Sequence, residues 1–404
     1  MTPHEPRPRR RTLIPLLVAV LGVALGVGGL ALLHPFAPGS PSQPADRAAP
    51  EARTVPRPLS DAAIRARIEP SVVDVVARLT YDDATASGTG FVVDARTGLI
   101  LTNNHVIRDS TSVTVTVPAT GRTYPGAIVG VDVGADIAVL QISPVAGLLA
   151  APLGDSATVA VGAPVISFGN QAGAGGSPAI AHGVIAATGR TIQADDGVAG
   201  FSETLHGMLA TTARIEPGDS GGPLAGAAGT VIGVDTAAGT GGMKAGYAIP
   251  INAAMAAERQ ITARHPGRGI SLGIGGFLGV IVPPGTEHSP VAQREREHGV
   301  AAVDPTGARG CIPTRDDVTT PVAIAQAPAG ALVAGVLCGT GAARAGIAPG
   351  DVITAADGHQ VASPDALTAV TSAIRPGTAI SVTWVSTSGV TRTSRIKLDP
   401  APAV

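Results

Sequence analysis

The chemistry in this chain is concentrated at Gly218-Asp-Ser220-Gly-Gly-Pro-Leu224. A serine flanked by glycines can present its hydroxyl on a tight turn while neighbouring backbone N–H groups point outward. Such donors are what a developing oxyanion needs, and an ordinary Ser/Gly surface turn has no use for them. The hydroxyl is a weak nucleophile until a base takes its proton. Of the nine histidines, His4, His34, His265, His288, His298 and His359 lie in tails, loops or turns and read as solvated. His182 and His206 have no partner at metal-ligand spacing. His105 closes the apolar run Leu99-Ile-Leu-Thr-Asn-Asn-His105, where a strand hands over to a turn. A general base needs that kind of rigid mount. The third candidate is Asp136, which leads directly into Ile137-Ala-Val-Leu140. A carboxylate there is costly to bury unless its oxygens are hydrogen-bonded. It reads either as a strand-initiating cap or as the group that orients an imidazole and stabilises the imidazolium.

The elements that must carry these residues are mostly β. The chain has 404 residues, 45% hydrophobic but only 2% aromatic, with 53 glycines and 34 prolines. That length predicts two domains plus extras. The composition predicts many turns and short strands whose cores are built from Val, Ile, Leu and Ala. Strand-like runs fall at 71–79, 90–94, 99–101, 112–117, 127–131, 137–142, 164–168, 183–187 and 231–234. Their spacing argues for an all-β sandwich or barrel over a parallel α/β sheet. Before them, Ser60 is a candidate N-cap for a helix through Ile68, which Pro70 stops. A net charge of −2 leaves no electrostatic footprint for nucleic acid.

The N-terminal segment is of another kind. Residues 1–12 form a basic tail carrying Arg7, Arg9, Arg10 and Arg11, and Leu13–Leu33 is an uncharged run. That run matches the ~20 residues of a membrane-spanning helix and exceeds the ~7–15 of a secretory signal. The arginines predict a cytoplasmic N-terminus, with everything after Leu33 outside a single-pass cell-membrane anchor. Residues 34–59 are Pro/Ala-rich and read as an extended spacer.

The chain order His105, Asp136, Ser220 distinguishes among unrelated triads. α/β-Hydrolases run Ser, Asp, His and subtilisins Asp, His, Ser, whereas the chymotrypsin-like double β-barrel runs His, Asp, Ser. The strings SGTGFVVDARTGLILTNNHVI, DIAVLQI, PGDSGGPL and VIGVDTAAG…GYAIP resemble the HtrA/DegP-type PDZ serine proteases over most of residues 60–400. The resemblance implies a trypsin-like protease domain at 60–265 with Ser220 as nucleophile, His105 as general base and acid, and Asp136 as orienting carboxylate. It implies an oxyanion hole of backbone N–H groups in the 218–220 turn (Gly218, Asp219, Ser220). It places Tyr247, Ala248 and Ile249 on a strand beside the substrate cleft, Arg190 in a structural turn, and no metal or organic cofactor. The family usually has Asn where this chain has Asp219, and a small residue where it has Arg214. Arg214 is therefore either the charge partner of Asp219 or the base of a P1 pocket favouring acidic residues. Thr212 stands where the family has an acidic residue, and nothing in the sequence explains it.

A second domain is expected at 271–400, mixed α+β and resembling a protease-associated PDZ domain. Phe277-Leu278-Gly279-Val280 form a Gly-rich entry into a strand, and Gly341–Ile353 and Asp357-Gly358 strengthen the likeness. Ser363-Pro364 should start a helix with Leu367, Val370 and Ile374 on one face. In the resemblance that face and the Phe277–Val280 strand form the groove where a peptide C-terminus adds as a strand; otherwise it is plain core. Residues 284–329 form an insertion reaching beyond Cys311. Cys311 and Cys338 are the only cysteines, and an even pair in an exported domain reads as a disulfide. The expected function is a membrane-anchored serine endopeptidase acting on misfolded or specific exported proteins, and the resemblance implies a homotrimer. The alternative is a catalytically silent scaffold presenting a peptide-binding module.

Overall fold

A computed structural model describes residues 58–170, 176–195, 202–236, 246–265, 269–282, 310–318, 321 and 323–404. The basic tail, the expected membrane span at 13–33 and nearly all of the spacer lie outside the described residues, as does much of the 284–329 insertion. Among the described residues no helix is long and apolar enough to cross a membrane.

Ser60 caps the helix Asp61–Ile68 by accepting from Ala63 N at 3.3 Å. Six strands follow: β1 (Val72–Leu79), β2 (Ala84–Asp94), β3 (Leu99–Thr102), β4 (Ser112–Val117), β5 (Arg122–Asp132) and β6 (Ile137–Gln141). They run antiparallel in the order β5-β4-β1-β2-β3-β6, and β5 also pairs with β6, closing a barrel. β4 shows why the sequence folds this way. Val113, Val115 and Val117 point into the core, while the Ser and Thr between them face out. The second barrel closes in the order β10-β11-β12-β9-β8-β7. Its strands are β7 (Pro164–Gly169), β8 (Ala179–Asp195), β9 (Ser202–Thr211), β10 (Pro223–Gly226), β11 (Val231–Thr236) and β12 (Gly246–Pro250). Closure pairs the strands of each barrel around the ring and so limits free edges.

The barrels are longer-stranded than the sequence suggests. The run read as 183–187 is part of the 17-residue β8. Register shifts at Ile185/Ala187, Ala187/Arg190 and Arg190/Ile192 let that strand bend and continue past its turn-like glycine. Arg190 lies in it, opposite Met208.

One apolar cluster joins the barrels, drawing Phe91, Leu101 and Ile137 from the first and Phe168, Met208 and Val234 from the second. A helix at Ile251–Thr262, absent from the sequence reading, seals this cluster with Ile251, Ala254, Ala257 and Ile261. Their near-helical spacing is its signature. A short strand, β13 (Ile270–Leu272), then adds to β5.

The C-terminal region is a separate small α+β core. Strands Ala331–Leu332, Val352–Ala356, Ala379–Val385 and Thr391–Lys397 form its main sheet. Trp384, 2% exposed, sits at its centre. Ser363 caps the helix Pro364–Ser372, accepting from Ala366 N at 3.2 Å with Pro364 in the first turn, as expected. Cys311 and Cys338 are joined as a disulfide.

Candidate active site

Ser220 lies in the turn before β10, and close backbone approach shapes the turn. Gly221 has φ +87°, and a Cβ there would lie 2.1 Å from Thr89 O. A Cβ at Gly222 would lie 2.1 Å from Phe168 O. No other residue type fits either position. Thr89, on β2 of the first barrel, ties the turn down. Its N–H donates to Ser220 O at 2.9 Å, and its hydroxyl donates to Gly218 O at 2.7 Å. Thr89 Oγ1 in turn accepts from Asn170 N at 2.8 Å.

The N–H groups of Gly218 and Ser220 donate to no acceptor among the described residues. That of Asp219 donates to Glu216 O at 3.0 Å. Asp219 is therefore a correction to the expected set of oxyanion donors: its amide is consumed in closing the turn.

His105 sits on the single-turn helix Asn104–Ile107, not on a bare turn after β3. Its Nδ1 lies 2.9 Å from Asp136 Oδ2 and 3.1 Å from Oδ1, and its N–H donates to Oδ1 at 3.0 Å. Asp136 Oδ2 also accepts from Thr236 Oγ1 at 3.1 Å. Its backbone carbonyl accepts from Asn103 Nδ2 (2.9 Å) and Asn104 N (3.2 Å). Asp136 is 1% exposed and holds φ +51°. The His105 side chain keeps 19% exposure. This is the requirement stated for a buried carboxylate: donors on both oxygens. Thr236 crosses from β11 of the second barrel to supply one of them, so the two barrels meet at the same aspartate.

Behind the nucleophile lie two further carboxylates. Asp219, 2% exposed, accepts from Glu216 N at 2.9 Å through Oδ2. Asp235 on β11 is 0% exposed, and its backbone holds the turn: Gly221 N donates to Asp235 O and Asp235 N donates to Gly222 O, both at 2.8 Å. Ser167 Oγ donates to Asp235 Oδ2 at 2.6 Å, while Oδ1 has no hydrogen-bond partner among the described residues. Burial, reinforced by the charge of Asp219, pushes the Asp235 carboxyl well above the usual carboxylate range. Sequence reasoning missed Asp235, Thr236 and Thr89. The signal for the first two was the polar pair closing the apolar string Val231-Ile-Gly-Val-Asp235-Thr236.

The remaining expected positions divide. Arg214 pairs with Glu216, and its side chain is 73% exposed, so it is not the partner of buried Asp219. The charge is met at the surface, two residues along the same loop. Ala248 and Ile249 are buried in the barrel core. Both edges of β12 are taken, by β11 and β9, so of the three expected cleft residues only Tyr247 is partly exposed. In the C-terminal region Leu278, Val280 and Leu367 are buried in one cluster, with Val370 and Ile374 packed on it. Phe277 is a correction. Its ring lies 5.1 Å from that of Tyr81 and packs on the cluster of Tyr81, Ile312 and Leu337, not among those residues.

Comparison with known proteins identifies the two folded parts. Residues 88–234 match the trypsin-like peptidase domain model, and residues 298–398 match the PDZ domain model. The serine protease PepD of Mycobacterium tuberculosis is 30% identical over 423 residues, covering 98% of this chain and 79% of that protein. The chain belongs to the HtrA/DegP family of PDZ serine proteases. The periplasmic serine endoprotease DegP of Salmonella typhimurium is 31% identical over 302 residues; the match spans 74% of this chain but only 54% of DegP. Among solved structures, the HtrA-type protease AlgW with a tripeptide is similar at 28% identity with a TM-score of 0.45, covering 85% of this chain and 98% of that one. This HtrA-family chain is thus a mostly β serine endopeptidase carrying a PDZ domain.

Proposed function

We propose that this protein is a membrane-anchored endopeptidase that cleaves exported polypeptides through Ser220, His105 and Asp136. The observation that carries the reading is the contact of His105 Nδ1 with the buried Asp136 carboxylate. With Nδ1–H donated there, Nε2 is the ring nitrogen left to take the Ser220 proton. Ser220 Oγ attacks the peptide carbonyl, and the unclaimed N–H groups of Gly218 and Ser220 receive the negative charge that develops on its oxygen. The imidazolium, stabilised by Asp136, then gives its proton to the leaving amine, and water resolves the acyl-enzyme by the same route.

The domain limits 60–265 and 271–400 and the anchor at 13–33 belong to this proposal, with both folded parts on the outer face of the cell membrane. The Cys311–Cys338 disulfide supports an oxidising location. The PDZ domain, by family, points to protein substrates, to peptide binding and to self-association. A peptide C-terminus would run along Val280–Ile281, one edge of which is already taken by Gly335–Val336. It would meet Val370 on the facing helix and Ile374 just past that helix's end.

The test is the full chain with Ser220→Ala. Wild type should cleave unfolded casein and label with a fluorophosphonate at Ser220, and the variant should do neither. Undiminished turnover in the variant sinks the triad.

A further inference from the structure

The helix that carries His105 is not held by the barrels alone. It ends where Arg108 N donates to Asn104 O at 2.9 Å, and the next residue, Asp109, has φ +62°. A non-glycine residue keeps that left-handed conformation where its surroundings over-determine it. Here they come from the C-terminal domain. Asp109 N donates to Ala403 O and Ala403 N donates to Ser110 O, both at 2.8 Å. Arg315 Nη1 donates to Asp109 Oδ1 at 2.8 Å. The same guanidinium grips Asp82, in the turn after β1, through Nε at 2.8 Å and through Nη2. Arg315 N also donates to Tyr81 O at 3.2 Å. One planar fork therefore binds two turns of the first barrel, a geometry lysine cannot reproduce.

Arg315 is itself fixed from behind. Thr314 donates to Asp317 Oδ2 through N (3.1 Å) and Oγ1 (2.7 Å), shaping the turn that presents the arginine. Ile312 N donates to Val336 O (2.8 Å) and Cys338 N to Ile312 O (2.9 Å), laying the segment against the PDZ core. The Cys311–Cys338 bond fastens it there. Beside it, the Tyr81 ring packs on Phe277, and its hydroxyl donates to Pro400 O at 2.7 Å.

We propose that Arg315 is a positioning residue for His105: the disulfide-fastened segment Gly310–Val318 of the PDZ domain holds, through the Arg315–Asp109 pair, the turn on which the histidine's helix ends. The inference rests on the role of His105 proposed above. It also makes the clamp sensitive to reduction. A dithiol reductant supplies two electrons and two protons, the Sγ–Sγ bond breaks, two thiols form, and the reductant leaves as its own disulfide. The segment then keeps only its hydrogen bonds and apolar contacts.

The experiment compares the full-length wild type with Arg315→Gln, Arg315→Lys and the Cys311→Ser/Cys338→Ser double variant. A chromogenic peptide is followed from acidic to alkaline pH, with a thermal melt of each protein. Arg315→Gln should lower kcat about 10-fold with little change in KM, and should move the acid limb of kcat/KM, which reports the histidine. Arg315→Lys should fall between it and wild type, and the double variant should lose part of the same activity without reductant. Wild-type kcat and an unmoved acid limb in Arg315→Gln, with an unchanged melt, overturn the clamp. If Arg315→Gln does not fold, Asp109→Asn, which leaves the Asp82 fork intact, is judged by the same two readouts. A chain inactivated by Ser220→Ala yet indifferent at Arg315 loses the clamp alone. Turnover that survives Ser220→Ala removes the triad as well.

Discussion

Asp136 and Asp235 are both removed from solvent, at 1% and 0% exposure, yet their surroundings treat the carboxyl group in opposite ways. Around Asp136 both oxygens receive donors: the His105 amide and ring, and the Thr236 hydroxyl. Around Asp235 one oxygen accepts from Ser167 and the other has no partner among the described residues, with the Asp219 charge nearby. The second environment favours the neutral acid, and burial drives the Asp235 carboxyl upward. The half of the site carrying the base is built from charge-assisted hydrogen bonds. The half carrying the nucleophile is built from glycine geometry against a backdrop of acid.

The largest expected effect comes from abolishing the charge at the first aspartate. Asp136→Asn should lower kcat by roughly 10⁴-fold while the chain still folds, because an amide can present an N–H where the imidazole needs an acceptor, favouring the wrong tautomer. Steady-state kinetics beside a thermal melt would check both halves of that statement. A loss under 10-fold would mean that Asp136 merely caps its strand.

The same substitution at the second aspartate should behave oppositely. Because the folded Asp235 carboxyl titrates above its unfolded value, the folded state binds the extra proton. The stability this contributes is present below the unfolded value and disappears as pH rises through the folded one. Asp235→Asn, permanently neutral, should therefore melt higher than wild type at alkaline pH, retain most of its turnover and flatten the alkaline decline in stability. A variant that melts lower at every pH would show that Asp235 is held as an anion after all.

Asp74 offers a milder version. It is 6% exposed on β1, and burial pushes its carboxyl up to about 6. Asp74→Asn should raise the melting temperature near neutral pH by an amount worth at most about 3 kcal/mol, and by nothing below the unfolded carboxylate range near pH 4. Melts at those two pH values suffice. An equal gain at both would assign the effect to packing rather than to charge.

What the sequence made readable was whatever depends on a few adjacent residues. The Gly-Asp-Ser-Gly-Gly turn needs its glycines for reasons of local backbone geometry, and the Ser60 and Ser363 caps act within one helical turn. Asp136 was readable because an acid has no cheap reason to begin an apolar strand. Thr89 was not, since its partner Gly218 lies 129 residues further on and a threonine on a strand is unremarkable. Asp235 hid inside a run that scores as core. Arg214 reads in the sequence as the partner of Asp219 or the base of a P1 pocket, and the acid it meets is Glu216, two residues along the same loop. Arg315 sat in a stretch that read only as surplus length, and its partners Asp82 and Asp109 are 233 and 206 residues away.

The lone tryptophan has a practical consequence. Trp384 is the only one in 404 residues, and it lies at 2% exposure in the core of the PDZ domain. Intrinsic indole fluorescence is therefore a private reporter of that domain: its red shift on heating marks the PDZ core opening, and the two barrels melt unseen by it. Set beside circular dichroism, which follows the barrels' many strands, the two traces would tell whether the domains come apart together or one at a time.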